Sequence, residues 1–520
     1  MPIVQQGSIN TTALVVPDLY VQIVPPQNLV LNGVPTNVIG AVGTASWGPA
    51  NQPVIIATMA DYARNFGPVA ARKFDLGTQI ATAVQQGAQN FRCVRVTDGT
   101  DTAASALIPS TTVAFTALYS GSLGNLVALA LNPGSRAGAW RLTVALPGIT
   151  PEVFDNIAGT GAAFWLALAT AVNQGQGSQR GPSLFVTVNA GGATAAPTAF
   201  SLSLGSGLAG TDGATGATTS ILTGTDLAPR RGMYALRGQG CSLGLLADAD
   251  DPTQWTVQAA FGLQEGIYMI LTGPAGDTII NAIAVKQSAG LDTYAAKLMF
   301  GDWLWWSDQV NNIIRLVSPQ GFAAGRLANL SPEQSSLNKN LYGVVGSQKT
   351  GTPGSGQNTS YSAAELAALL GAGIDLITNP QPAGTFWGVR GGHNSSTNSG
   401  TNGDNYTRLT NYIAATLAAG MGLYVGQVIN AGLFRRIRAT QLSFLQAMLS
   451  QGLLGSNDGS LPFSVICDIS NNPASRTGLG YVQSDSQVQY QAINEKFIVN
   501  MEGGQTVQVS RQTLPAGQLA

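Results

Sequence analysis

The chain is 520 residues long and only 10% charged, with 25 Lys and Arg against 26 Asp and Glu and with 64 glycines. Its length allows several domains around a substantial core, while the near-neutral balance excludes the electrostatic footprint of a nucleic-acid binder and a polybasic membrane patch. A surface this poor in charge is dominated by small and uncharged polar groups, which suits extensive contact with other protein.

Residues 1–24 read as an arm. Ile3 and Val4, then Leu14, Val15 and Val16, are short β-prone runs in an uncharged Thr/Asn/Gln-rich segment that ends at Pro17, and order resumes at Tyr20 to Val24. No hairpin partner adjoins them. A lone strand leaves its N–H and C=O groups unpaired, so it either lacks fixed order or is completed by another sheet edge; these residues alone leave both open.

Residues 25–97 read as the first part of an α/β core: strands over 37–42 and 54–57, a helix over 74–89 and a strand over 91–96. Composition shifts at Asp98. From there to Asp226 Gly/Thr-rich turns alternate with short apolar runs such as Trp140 to Val144, which predicts an inserted, mostly β outer domain. Residues 227–345 read as a middle α/β domain. Strand 243–247, helix 252–264, strand 267–271 and helix 277–288 alternate as βαβα and imply an at least partly parallel sheet. Met299 to Trp306 predicts one well-packed strand; a carbohydrate-binding aromatic stripe is the alternative reading of its rings.

Residues 346–502 read as a C-terminal α/β core domain. After a Gly/Ser-rich linker over 346–360 come a helix over 362–371, with Ser362 and Glu365 at capping-box spacing, strands over 374–377 and 385–389, and a helix over 406–419. The uncharged stretch from Asn411 to Phe434 is broken by Gly420, Gly422 and Gly426, so a strand over 423–428 suits it better than a membrane span. A helix over 433–449 places Leu433, Ile437, Leu442, Leu445 and Leu449 near one face. Its other side carries Arg435, Arg436 and Arg438, the densest basic cluster in the chain, which reads either as a solvated face or as an attachment surface for an acidic protein. Residues 503–520 form a second arm, where Gly503-Gly504 releases the alternating run Thr506, Val507, Gln508, Val509 and Ser510 before Pro515.

Reactive chemistry is sparse. Cys93, Cys241 and Cys467 lie far apart in or beside apolar runs and read as buried free thiols. The first basic residue is Arg64, so no secretory signal is expected and folding in a reducing cytoplasm is. The single histidine, His393, sits in a polar loop without a triad pattern, and Gly351 to Gly356 lacks the lysine of a phosphate loop. No catalytic, cofactor-binding or metal residues are expected, and the chain is not expected to be an enzyme.

Several segments in a consistent order resemble contractile tail sheath proteins of bacteriophages, the family that includes sheaths of tail-derived bacteriocins. They are Pro17 to Pro25, Gly33-Val34-Pro35-Thr36, Gly40 to Pro49, Asp61 to Gly67, Cys93 to Val96, Arg315 to Gly325, Phe386 to Arg390, Arg408 to Ile413, Phe444-Leu445 with Gly452 to Gly455, and Cys467-Asp468 with Asn471-Asn472-Pro473. The sequence departs from the pattern after Gly325, where a charged stretch is missing, and in the long linker over 346–360; the 98–226 region carries no resemblance. What the resemblance implies is a structural subunit that polymerises with itself as hexameric rings in a helical sheath around an inner tail tube. Baseplate and tail terminator proteins would be met at the ends, in a virion assembled in the host cytoplasm, without membrane insertion or nucleic-acid contact. The C-terminal domain, through Arg435, Arg436 and Arg438, would face the tube, and both arms would exchange strands with neighbours. An adhesin for carbohydrate or a cell surface is the alternative.

Overall fold

The computed structural model describes residues 3–6, 20–23, 31–357 and 359–507. β1 (Ile3–Gln6) and β2 (Tyr20–Ile23) pair in parallel, with Ile3 opposite Tyr20 and Gln6 opposite Ile23. The first strand therefore has a partner in its own chain, contrary to the lone strand the sequence predicts. Among the described residues no third strand joins this ladder. Leu14, Val15 and Val16 lie outside the described residues.

The core begins with β3 (Ile39–Gly43), β4 (Pro53–Ile56), α1 (Met59–Phe66), α2 (Leu76–Gln85) and β5 (Phe91–Arg95). α1, which the sequence reading missed, is set by a capping box: Asp61 N–H donates to Thr58 Oγ1 and Thr58 N–H to Asp61 Oδ2, both at 3.1 Å. α2 is started by buried Asp75, which accepts from Thr78 N at 2.7 Å.

The insertion contains β6 (Ser105–Leu107), β7 (Ala114–Ala117), β8 (Ala128–Pro133), β9 (Trp140–Ala145), β10 (Glu152–Ile157), α3 (Gly161–Gln174), β11 (Val186–Asn189) and β12 (Phe200–Ser203), whereas α4 (Thr219–Thr223), within the span the sequence assigns to the insertion, packs Leu222 into the core of the first sheet beside Val42 and Leu246. Two antiparallel sheets, β10-β9-β8-β12 and β11-β7-β6, enclose a core of their own around Phe115, Leu142, Phe154 and Leu168. The expected β module is present, with one long helix added. In α3 the buried Phe164, Leu168 and Val172 recur at i, i+4 and i+8, a helical period that the surrounding Gly/Ala-rich sequence obscured. Trp47 reaches from the core into this second core, edge-on to Tyr119 at 5.4 Å.

The chain then returns through β13 (Leu243–Leu246), α5 (Trp255–Glu265), β14 (Tyr268–Thr272), α6 (Ile279–Ala289) and β15 (Ala296–Met299) to the first sheet. Its order is β15-β14-β13-β3-β5-β4, parallel except for β4. The two α/β units over 25–97 and 227–345 are thus halves of a single six-stranded sheet, joined where Leu243 pairs with Ile39, with 98–226 inserted between them. Local periodicity identifies the strands, but only the tertiary pairing shows that β13 docks beside β3.

Beyond it lie β16 (Leu304–Asp308), β17 (Ile313–Val317), α7 (Gln320–Ala328) and β18 (Val344–Ser347). The aromatic run is not one strand, because Phe300 to Trp303 turn the chain between β15 and β16. Trp303 and Trp306 are buried, and their indole N–H groups donate to Gly273 O (3.0 Å) and Gln85 Oε1 (2.9 Å), so they serve the core.

The C-terminal part comprises α8 (Ala363–Gly371), β19 (Ile377–Thr378), β20 (Gly388–Val389), α9 (Asp404–Met421), α10 (Ala431–Ser450), β21 (Phe463–Ile466), α11 (Ala474–Thr477) and β22 (Asp485–Val488). The Ser362–Glu365 capping box of α8 closes in both directions. The strands over 374–377 and 385–389 shrink to the two-residue ladder β19–β20. No strand forms over 423–428: a 3₁₀ turn, Gly422–Tyr424, follows α9, Gly426 takes φ +84°, and Gln427 folds back onto Leu423 O. Among the described residues no helix is long and apolar enough to cross a membrane.

Candidate assembly interface

α9, α10 and the hairpin ladder β21–β22 form a compact unit at the C-terminal end. α10 buries Leu433, Phe434, Ile437, Phe444, Leu445 and Met448, with Leu442 and Leu449 half-buried beside them, as the sequence predicts for this face. Phe444 packs on Tyr412 at 5.9 Å. β21 alternates, Phe463 and Val465 inward and Ser464 and Ile466 outward. It pairs antiparallel with β22 from Phe463–Val488 to Ile466–Asp485, and Ser484 and Ser486 tie the ladder to Gln441 of α10 at 2.6 and 3.3 Å. Among the described residues no further strand joins, so both outer edges keep free backbone groups. A two-stranded ladder is marginal in water and gains from added strands.

Arg435, Arg436 and Arg438 are all exposed on the N-terminal half of α10. Arg435 Nε donates to Ala431 O at 3.3 Å and Arg436 to Gln427 Oε1 at 2.8 Å; among the described residues none of the three pairs with a carboxylate. Beside them the α9–α10 connection exposes Val425 and Val428 at 85 and 79%. The patch is both cationic and apolar.

The unit is fixed to the sheet by a buried ion cluster that sequence reading missed. Lys297 of β15 donates to Asp375 Oδ2 (2.6 Å), Asp404 Oδ1 (3.0 Å) and the carbonyl of His393 (2.9 Å), with all three charged side chains at 0% exposure. Tyr268 and Ser336 donate to Asp404, and Gly391 and His393 amides donate to Asp375. Burial drives the Asp404 carboxyl up, but Lys297 and the hydroxyl donors outweigh it and hold it below the ordinary range. One turn on, buried Arg408 holds the Leu330 and Ser331 carbonyls at 2.8 and 2.9 Å, and burial lowers it to about 10. The available signal was Lys297 inside the apolar run Ala296 to Met299.

A second joint fixes the insertion. Fully buried Arg95 donates to the carbonyls of Gly48 (2.7 Å), Ser120 (2.8 Å) and Asp212 (3.1 Å), drawing three separate segments together. Asp212 in turn pairs with Arg72 and accepts from Ser122 N at 2.6 Å.

Part of each arm is among the described residues. Ile3 and Val4 lie in β1. Thr506 and Val507 are described, but in a turn in which Val507 N–H approaches Gly504 O at 3.4 Å rather than in a strand; Gln508, Val509 and Ser510 lie outside the described residues. All three cysteines are free and buried. His393 Nε2 meets Glu495 Oε1 at 2.7 Å, a contact that anchors the C-terminal segment.

No family model matches the sequence, and no curated protein does. Solved structures do. A sheath tail protein from Listeria innocua shares 15% identity at a TM-score of 0.59, over 84% of this chain and 89% of that one. A sheath tail protein from Desulfitobacterium hafniense shares 15% at 0.56, over 85% and 92%. The sheath of PVC, an extracellular contractile injection system, in its contracted state shares 13% at 0.53, over 95% and 99%. The chain has the α/β multidomain fold of these sheath proteins.

Proposed function

We propose that this chain is the structural subunit of a contractile tail sheath. It polymerises as stacked hexameric rings around an inner tail tube and contracts to drive the tube through a cell envelope. The observation that carries this reading is a fold shared over 95% of the chain with the subunit of the contracted PVC sheath. The baseplate of the anti-feeding prophage contains a protein of the same fold, 12% identical over 95% of this chain, in keeping with a baseplate at one end. The assembled tail belongs to a virion or tail particle, built in the host cytoplasm, and the subunit has no catalytic role.

Subunits are joined by strands from the terminal arms, and the open edges of β21–β22 are suitable acceptors. Each added ladder bond contributes about 0.5–1.5 kcal/mol net, so one short strand contributes several kcal/mol per junction. Such tethers let subunits rotate as rigid bodies without parting. Ile3, Val4, Leu14, Val15 and Val16 supply the N-terminal strand in this reading. The Arg435, Arg436 and Arg438 patch faces an acidic surface of the tube. Electron microscopy of the purified protein tests the proposal: long cylinders are expected, and a discrete oligomer under all assembly conditions refutes it.

A further inference from the structure

Lys297, Asp375 and Asp404 meet where β15, the chain entering β19 and the first turn of α9 converge, and all three side chains are fully buried. The cluster holds one cation against two carboxylates, one more than neutralisation of Lys297 requires. Lys297 Nζ lies 2.6 Å from Asp375 Oδ2 and 3.0 Å from Asp404 Oδ1, so a single amine touches both carboxyl groups out of reach of solvent.

The two carboxyl groups are held differently. Asp375 accepts only from N–H groups. Its Oδ1 receives the Leu376 and Gly391 amides, each at 2.8 Å, and its Oδ2 receives the His393 amide at 3.0 Å as well as Lys297. Two backbone N–H groups aimed at one carboxyl oxygen are the arrangement that stabilises an oxyanion when a nucleophile adds to the adjoining carbon. Asp404 is instead held by hydroxyl groups: Tyr268 donates to its Oδ1 at 2.6 Å, and Ser336 donates to its Oδ2 through both hydroxyl and amide. It stands beside the nitrogen as a carboxylate able to take up and return a proton.

We infer that Lys297 and Asp375 become joined by an isopeptide bond that forms within the folded chain, with Asp404 as the proton carrier. Lys297 passes one ammonium proton to Asp375 Oδ2, and the lone pair of the resulting amine attacks Asp375 Cγ. Asp404 takes a second proton from the nitrogen as the C–N bond forms and gives it to the departing Oδ2. The Cγ–Oδ2 bond breaks and water leaves. The nitrogen keeps one proton, Asp404 ends as the carboxylate it was, and no further reactant is consumed.

The ion pair is the resting arrangement. Burial by itself lowers the Lys297 ammonium, but the two carboxylates outweigh it and hold the group above its ordinary range. The neutral amine is therefore a minor form, and the bond is expected to accumulate after folding. It ties β15 to the segment that already runs beside it at Met299 and Asp375, and it closes a loop between positions 78 residues apart. Its formation does not depend on polymerisation.

The intact mass of the full-length protein, unfolded in guanidinium, reads the bond directly. A species one water lighter than the sequence is expected, increasing with incubation at neutral pH. A tryptic map is expected to contain a branched peptide in which Lys297 is uncleaved and joined to the fragment that carries Asp375. Lys297→Arg keeps the charge but supplies no amine, and is expected at full mass. Asp404→Asn keeps the shape of the cluster and is expected to slow the loss of water about a hundredfold or more; cross-linking at the wild-type rate overturns the role given to Asp404. The wild-type map decides the matter even where a variant does not fold. A wild-type chain that remains at full mass after prolonged incubation, or a lost water that maps elsewhere, as at Asp458-Gly459, overturns the inference.

Discussion

At the residue scale, the charges this chain does keep inside are tied into specific joints. Lys297 neutralises two carboxylates that come from 78 and 107 residues further along the chain. Removing it leaves Asp375 and Asp404 buried without a cation, so Lys297→Met is expected to cost about 3–5 kcal/mol, read as a lowered denaturation midpoint of the unassembled subunit. Asp75 behaves differently. Burial pushes its carboxyl up to about 7, despite hydrogen bonds from Thr78 and the charge of Arg72. An unfolded Asp titrates near about 3.9. Between those values the folded chain holds a proton that the unfolded chain has released, so this group makes stability fall as pH rises through that window. Asp75→Asn keeps an acceptor for the start of α2 and removes the titration. Its melting temperature relative to wild type is expected to rise from about pH 4 to about pH 7 and level off above; a difference independent of pH would contradict the assignment.

At the element scale, α2 and α7 pack closely against each other, and two glycines permit it. A Cβ on Gly321 would stand 2.1 Å from Thr82 Oγ1, and one on Gly325 2.5 Å from Ala83 Cα. The second contact is with backbone and has no rotamer to relieve it. Gly325→Ala is expected to destabilise by about 1–3 kcal/mol, seen as a lower urea midpoint at unchanged slope. Gly371→Ala in α8, where nothing lies within 4 Å of the new methyl group, is the matched control and is expected to lose nothing. Equal behaviour of the two variants would remove close packing as the reason for Gly325. The same elements carry contacts of the six-stranded sheet, since α7 also lies against β13 and β14.

At the scale of the whole molecule, a single six-stranded sheet organises the chain. One end carries the inserted β module through Arg95 and Trp47, and the Lys297 cluster holds the helical unit with the open β21–β22 ladder. Both attachments are buried, and Arg95 and Lys297 each draw separate segments together. If the α10 arginines meet an acidic tube, Arg435→Glu/Arg436→Glu/Arg438→Glu is expected to abolish co-sedimentation with tube protein, and wild-type binding is expected to weaken as salt rises. The helix itself has no reason to suffer, because all three side chains are exposed. Unchanged co-assembly would remove the arginines from the tube-facing role.

The sequence by itself determined what is local: the βαβα order, the Ser362–Glu365 cap, the buried face of α10 and the β-rich character of the insertion all follow from periodicity and capping within a few residues. Tertiary structure alone decided what is distant. That 25–97 and 227–345 share one sheet depends on Leu243 reaching Ile39 across an insertion of more than a hundred residues, and the partners of Lys297 are equally remote. The same reason accounts for the errors. Leu423 to Val428 has a strand's composition but forms none, the chain turning instead through Gly422–Tyr424 and Gly426. Backbone pairing is a property of neighbours in space, and a sequence read along one dimension names the candidates without naming the edge that receives them.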